Sequence, residues 1–552
     1  MSFNLSVPSY DQALHYSVET HTRQVEEWLQ RLPLASPVNA ARQLLTALAS
    51  MNRVQMDETP RHKLLTLYRP AIDRVARELE MLIAETCIPP AAKQRQTGTL
   101  MRELLVELAY GYKRVLLAMA SRRFTFGADK AVSEVTTHIM AALSDILAVS
   151  YRTYSPFPEG VWREMHQLYQ LAQESGFSDL AIAGITPSLI YRQALLTALA
   201  DPYHMQHAEL VHTRLYLENF GHLARLVKND DNPSGEGFFI ATDADAAIVQ
   251  TPDSAQAALW LQTGALCRHL QEAAVKLKLG DTPRHIGLPH EMESGLAQHL
   301  FMSLFKNWGN VAQRVYKRYP SVEAEIRLVP GVPAIHHLLE LSAAPRPPEG
   351  RASGGVLLAG TAEGSLRSSG EPAGVLLAGT APTTTHGDPT LTVTGNQQHA
   401  AYPAEATLWK VMNDSAGGLA LSGTPCAPLK LKVGDAIVIQ ESTEGKWSLA
   451  VIRWIRMADA QWVRMGVERI SPRVQPVRVR PLRGQRSLSA EPALYIPGSG
   501  KLYQQDRLLL PRHVYQAGLS AEVLHADRQN DVSFGRLLEQ TGGFDLIEFS
   551  VL

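Results

Sequence analysis

The sequence predicts an α+β multidomain protein: a large all-helical N-terminal region, then a small antiparallel β-barrel, then a C-terminal β extension. Two observations carry this reading, namely a switch in hydrophobic period and a stretch of biased composition inside the β-rich half. From about Tyr10 to Val227 apolar residues recur at spacings of three and four, as in Leu100, Leu104, Leu108, Tyr112, Val115 and Met119, the signature of amphipathic helices. Pro89-Pro90, the Ser155 to Pro158 segment and the polar run Asn229 to Gly237 punctuate the pattern, so several helices packed antiparallel are expected over residues 1–230. Residues 231–311 read as a mixed region connecting to the barrel. Gly237 to Val249 suits a hairpin, and helices are expected from about Ala255 to Leu279 and from Met292 to Trp308.

After Arg318 the period becomes two. Val322, Ala324, Ile326 and Leu328 alternate with Glu323, Glu325 and Arg327, as in a half-buried strand. Strand-forming runs resume at Thr407, Gly418, Asp435, Trp447 and Gln461, separated by Gly, Pro and polar turns, and together they predict a barrel over 312–480. Within it, Ser342 to Pro403 is dominated by Ala, Gly, Pro, Ser and Thr and carries the octapeptide GVLLAGTA twice, at Gly355 and Gly374. That composition cannot build a core, so 342–403 reads as a disordered insertion. Residues 481–552 hold further strand-like runs (ALYIP, RLLLP, SAEVLHA, FDLIEFSVL) and read as a C-terminal β module or an extension of the barrel sheet.

Bulk composition excludes several classes. The 552 residues carry a net charge of −1 with 45% hydrophobic residues, so no global field draws the chain toward nucleic acid or a membrane surface. Three widely separated cysteines, Cys87, Cys267 and Cys426, argue for a reduced, cytoplasmic setting rather than a disulfide framework or zinc site. The N-terminus lacks a basic segment followed by an apolar run, and no integral membrane segment is expected.

Two short clusters remain: Arg314 and Arg318 in RVYKR, directly before the first strand, and Asn413, Ser415 and Gly418 in NDSAGG, between two later strands. A planar guanidinium can grip a phosphate or a guanine Hoogsteen edge with two hydrogen bonds while its face stacks on a purine. The carboxamide of Asn413 offers a donor and an acceptor, Ser415 a short hydroxyl, and Gly418 allows close backbone approach. With RxxxR leading into the first strand and [D/N]xSxxG in a later turn, the segment from about Ala312 to Val479 resembles the PilZ family of cyclic di-GMP receptors, and GVERI (Gly466 to Ile470) is similar to the end of that barrel. The resemblance implies a PilZ-like β-barrel that binds cyclic di-GMP through Arg314, Arg318, Asn413, Ser415 and Gly418, without a cofactor or catalysis. The expected function is that of a non-enzymatic effector that passes ligand occupancy to the helical region or to a protein partner, with the helix ending near Trp308 as the lever. The alternative is a ligand-free PilZ-like scaffold with a structural or chaperone-like role.

Other constellations carry less. Ala401 to Arg486 holds 13 basic against 7 acidic residues, with six arginines from Arg469 to Arg486, an excess that favours an anionic ligand. The run lacks the interleaved aromatics of a nucleic-acid stacking platform and reads as solvated strand and linker. His204, His207 and His212, and likewise His285, His290 and His299, lack metal-site spacing, so no metal is expected. Asp243 and Asp245 read as turn or cap residues rather than a catalytic pair, and no Walker loop, GxSxG or Cys-His pairing nominates a nucleophile.

Overall fold

The computed structural model describes residues 4–11, 19–84, 88, 90–121, 130–228, 237–248, 257–309, 319–320, 324–343, 406–424, 429–441, 445–458, 462–483, 486–487, 489–498, 505–525 and 528–552. The expected disordered insertion 342–403 lies outside them, apart from its first two residues.

The N-terminal region is built from α1 (Thr22–Gln30), α2 (Pro37–Arg53), α3 (Glu58–Leu82), α4 (Ala92–Ser121), α5 (Lys130–Arg152), α6 (Val161–Glu174), α7 (Pro187–Leu199) and α8 (His207–Phe220). The stripe expected on α4 is the buried one: Leu100, Leu104, Leu108, Tyr112 and Val115 all face the core. Thr186 caps α7, its hydroxyl accepting the Leu189 N–H at 3.1 Å, with Pro187 in the first turn. Among the described residues one helix, α5, is long and apolar enough to cross a membrane by length and composition. Most of it is buried, including its polar Ser133, Thr136, Thr137 and Ser150, as in the core helix of a folded domain.

Next come β1 (Arg225–Lys228), β2 (Gly237–Ala241) and β3 (Ala257–Gln262), forming a three-stranded sheet in the order β1-β3-β2, then α9 (Gly264–Lys278) and α10 (Ser294–Gly309). Two expectations are corrected here. The helix placed from Ala255 begins only at Gly264, because the apolar run AALWLQ is the central strand, and β2 pairs with this strand rather than folding into a hairpin of its own. Phe238, Ile240, Leu259, Leu261, Leu266 and Leu270 join the same buried cluster as α1 to α8, so one core continues past residue 230. Asp245 caps α6 from this loop, its carboxylate accepting the backbone N–H groups of Gly160 (2.6 Å), Trp162 (3.0 Å) and Arg163 (3.3 Å).

The C-terminal half consists of two closed barrels. The first contains β5 (Glu325–Pro330), β6 (Thr407–Ser415), β7 (Gly418–Gly423), β8 (Ala436–Gln440), β9 (Ser448–Met457) and β10 (Val463–Ser471) in the order β6-β5-β8-β9-β10-β7, with β6 pairing back onto β7. The short β4 (Tyr319–Pro320) lies on β6 ahead of β5. The alternation expected there holds at Ile326 and Leu328, which are buried, whereas Ala324 is exposed at the strand entry and Val322 lies outside the described residues. The second barrel contains β11 (Gln475–Arg483), β13 (Glu491–Ile496), β14 (Arg507–Pro511), β15 (Ser520–His525), β16 (Arg528–Gln540) and β17 (Phe544–Val551), closed by pairing of β11 with β15, while β12 (Arg486–Ser487) folds back on β11. β11 crosses residue 480, where the sequence reading ends the first barrel.

A helix that the sequence reading did not anticipate, α11 (Val332–Ala343), is wedged between the barrels. Val332, Ile335 and Leu339 pack with Ala436, Val438, Leu449 and Val451 of the first barrel and Leu494, Leu509 and Phe544 of the second. Strand β8 is therefore buried on both faces, which is why its first four residues, AIVI, are all apolar rather than alternating. The helical region is stitched to the first barrel by paired backbone bonds between Ile88 and Leu431 (2.9 and 2.7 Å), by Met457 N–H to Tyr154 O (2.7 Å) and by the Gln206 amide to Val433 O (3.0 Å). Arg453 pairs with Glu539 across the two barrels, and Arg512 joins Asp545 (2.6 Å) to Glu293 of the helical region (2.8 Å).

Asp435 sits at this three-way seam. Burial pushes its carboxyl up to about 6, against the lowering effect of the Lys432 N–H that it accepts at 2.7 Å. A carboxyl whose folded pKa lies above its unfolded value costs stability as pH rises from about 4 to about 6, and the full penalty persists above that window. Asp435→Asn keeps an acceptor for Lys432. It is expected to stabilise the protein by about 2 kcal/mol at pH 7.5, a gain that vanishes below pH ~4, as read from melting midpoints across pH.

Candidate functional site

Strand β6 starts as a regular barrel strand, with Trp409 and Val411 inward and Leu408, Lys410 and Met412 exposed. Regular alternation would then turn Asn413 into the barrel. Instead the register jumps from Val411↔Leu421 to Asn413↔Ala420, leaving Met412 as the extra residue of a β-bulge. Asn413 and Ser415 are thereby placed opposite Ala420 and Gly418, on the outer face of the barrel, while Asp414 shares the Leu419 side.

The hairpin that follows is held from several directions. Ser415 and Gly418 are cross-strand partners, and the Ser415 hydroxyl donates to the Gly418 carbonyl at 3.0 Å. A Cβ on Gly418 would run into the carbonyl oxygen of Val467 on β10, so the turn lies directly on the neighbouring backbone. Arg469 then clamps the turn: its guanidinium donates to Asp414 Oδ1 (2.7 Å), the Ser415 carbonyl (2.8 Å) and Glu441 Oε1 (2.8 Å), and its backbone N–H reaches Gly417 O (3.0 Å). Burial alone would lower the Arg469 pKa, but the hydrogen-bonded Asp414 and Glu441 outweigh it and raise the value above the ordinary arginine range. Among the described residues the Asn413 carboxamide has no hydrogen-bond partner. It stands apart from its neighbours, each of which has a structural task.

Of the five expected ligand residues, Asn413, Ser415 and Gly418 are brought together at this hairpin, and Arg314 and Arg318 lie outside the described residues. The chain on either side of the arginines is described. Upstream, α10 is fixed in the helical core: the buried Trp308 donates its indole N–H to Leu196 O (2.9 Å) and accepts the Thr263 hydroxyl on its carbonyl (2.6 Å), while Asn307 reaches Ala200 O (2.9 Å). Downstream, Tyr319 and Pro320 pair with Asp414 and Asn413. The residue that follows Arg318 is thus a cross-strand neighbour of the NDSAGG segment.

Sequence reasoning missed Arg469, which belonged to a run read as solvated linker, although its position in GVERI at the closing strand was the available signal. Cys87 and Cys426 lie outside the described residues, and Cys267 is buried in the helical core. Of the histidines in the two expected clusters, His204 pairs with Asp201 (2.8 Å), His285 with Asp281 (2.6 Å) and, across helices, His299 with Glu209 (3.5 Å). Among the described residues no group of His, Cys, Asp and Glu is placed to hold a metal ion.

Comparison with known proteins points the same way as this geometry. Residues 23–231 match the family model described as "Cyclic-di-GMP receptor FimW, N-terminal domain", residues 379–476 its "middle PilZ domain", and residues 477–552 the "FimW C-terminal beta-barrel domain". A curated relative, the cyclic-di-GMP receptor FimW of Pseudomonas aeruginosa, is 26% identical over 99% of this chain and 93% of its own length. No solved structure matches the chain. The C-terminal half of this chain thus carries a barrel of the PilZ family, set between segments that match the N-terminal and C-terminal domain models of the same receptor.

Proposed function

We propose that this chain is a non-enzymatic cyclic di-GMP receptor of the cytoplasm, in which the outer face of the first barrel at Asn413, Ser415 and Gly418, together with Arg314 and Arg318, binds the dinucleotide. The observation that carries this reading is the Asn413 carboxamide, which has no hydrogen-bond partner among the described residues, is turned outward by the bulge and is paired through Pro320 to the strand that continues from Arg318. A half-exposed amide with no internal task is available to a base edge, and the arginines supply the charge that two phosphodiesters require.

Occupancy would be passed to the helical region, and through it to a protein partner. The nine residues 310–318 join the core-fixed Trp308 and Gly309 to Tyr319 on the barrel, so a ligand held by Arg314 and Arg318 acts on the link between the two bodies. α10 is therefore better described as a fixed post than as a moving lever. For the partner, the helical region offers a cleft of about 1110 Å³ between α2, the start of α4 and the Thr153 to Pro158 loop, rimmed by Arg42, Lys93, Arg95 and Arg102 with Glu103 as its acid.

The second reading, a ligand-free scaffold, draws support from the structural tasks of Ser415 and Gly418. Calorimetric titration with cyclic di-GMP separates the two. The receptor reading expects micromolar or tighter binding that Asn413→Ala weakens about 10-fold or more without lowering the melting temperature. Well-folded protein that gives no heat with the dinucleotide leaves the scaffold reading.

A further inference from the structure

The same outer face carries a charge row that the five motif residues do not include. Lys410 on β6, Ser422 on β7, Arg464 on β10 and Arg456 on β9 are successive cross-strand partners. Lys410, Arg464 and Arg456 are exposed, and the residues beside them in each strand, Trp409 and Val411, Val463 and Met465, Ile455 and Met457, fill the barrel interior. The three cations therefore project outward from the same sheet face, with Cβ atoms ~5 Å apart for the directly paired Arg464 and Arg456.

Like charges directly opposite each other in a sheet are destabilising unless something answers them. Lys410 has Glu325 across from it on β5, and Arg456 lies over the Tyr203 ring with its guanidinium carbon 5.1 Å from the centroid. Nearby carboxylates are engaged elsewhere: Glu468 and Glu539 hold Arg453, and Asp414 and Glu441 hold Arg469. Among the described residues no carboxylate pairs with Arg464. One step along the same face runs the row Asn413, Ala420, Gly466, Trp454, in which the Trp454 indole lies across Gly466 and Ala420 is the small residue beside Asn413. Strand spacings put the Arg464 Cα about 12 Å from that of Asn413, within the combined reach of a guanidinium and a dinucleotide.

We infer that Arg464 is a further ligand-binding residue of this barrel and contacts a phosphodiester of the cyclic dinucleotide held at Asn413; the inference rests on the receptor reading above. The like charges at Arg464 and Arg456 stand against each other in the free protein, and the bound anion answers them. This role leaves a signature that a structural residue would not, because affinity and stability move in opposite directions.

The test is calorimetric titration with cyclic di-GMP at two or more salt concentrations, together with thermal melting of the free protein, for wild type, Arg464→Ala and Arg464→Glu. Arg464→Ala is expected to bind about 10- to 100-fold more weakly, with a shallower salt dependence, while the free protein melts no lower than wild type. Arg464→Glu, which can pair with Arg456, should melt slightly higher and bind weaker still. Wild-type affinity retained by Arg464→Ala overturns the inference and leaves the receptor reading standing. Free Arg464→Ala that melts several degrees lower marks a structural residue and also overturns it. Wild type that does not bind the dinucleotide removes both.

Discussion

Replacement of Arg314 and Arg318 by alanine, singly, is expected to weaken cyclic di-GMP binding by about 30- to 1000-fold, and the double replacement should leave no measurable heat. A charge-assisted hydrogen bond contributes ~1.5 to 3 kcal/mol, and stacking of a guanidinium on a purine adds ~0.5 to 2 kcal/mol, so one arginine carries about 2 to 4 kcal/mol. Arg→Lys at either position should recover only part of the loss, because an ammonium keeps the charge but cannot make the planar two-bond contact. The free protein's melting temperature should not change. Retained wild-type affinity in both single variants would sink the proposed site, whatever the barrel's fold.

Gly418→Ala is expected to have the largest effect on the barrel itself. The added Cβ meets the carbonyl oxygen and carbon of Val467 and the Cα of Glu468, all backbone atoms of β10 that cannot rotate aside. Relief requires the β6–β7 turn to lift from β10, which breaks the Arg469 N–H to Gly417 O bond and misaligns the guanidinium clamp on Asp414 and Ser415. Overpacking of this kind costs ~1 to 3 kcal/mol, and the lost bonds add to it. Thermal melting should show a drop of several degrees, and cyclic di-GMP affinity should fall with it because Asn413 moves with the turn. Asn413→Ala should cost affinity alone. That contrast separates a residue that shapes the site from one that meets the ligand, and equal stability of Gly418→Ala and wild type would contradict the packing argument.

Much of the architecture was legible from hydrophobic period. The three-to-four spacing on α4 marked its buried face, and the alternation at Ile326 and Leu328 marked β5. The misses have physical causes. AALWLQ is apolar over its first five residues and lies just before a genuine helix, so period alone could not separate a central strand from a helical start. α11 abuts a compositionally biased stretch and earns its place by filling the gap between the barrels, a contact that exists only once both have formed. At the site, the motif residues were legible but the bulge at Met412 was not, and only the bulge decides that Asn413 faces outward. Arg469 and Arg464 looked alike as members of a basic stretch. The register gave the first two acidic partners and the second none among the described residues.

The segment that matches the PilZ family model, residues 379–476, does not contain every stave of its own barrel. β5, which lies between β6 and β8, enters from well upstream, and its pairing with both is what closes the cylinder. A fragment cut to the matched limits would therefore open along two raw seams, each presenting unsatisfied main-chain groups to any passing strand. Self-association rather than a tidy monomer is the fate of such a fragment, so the barrel's natural working unit begins no later than β5 at Glu325.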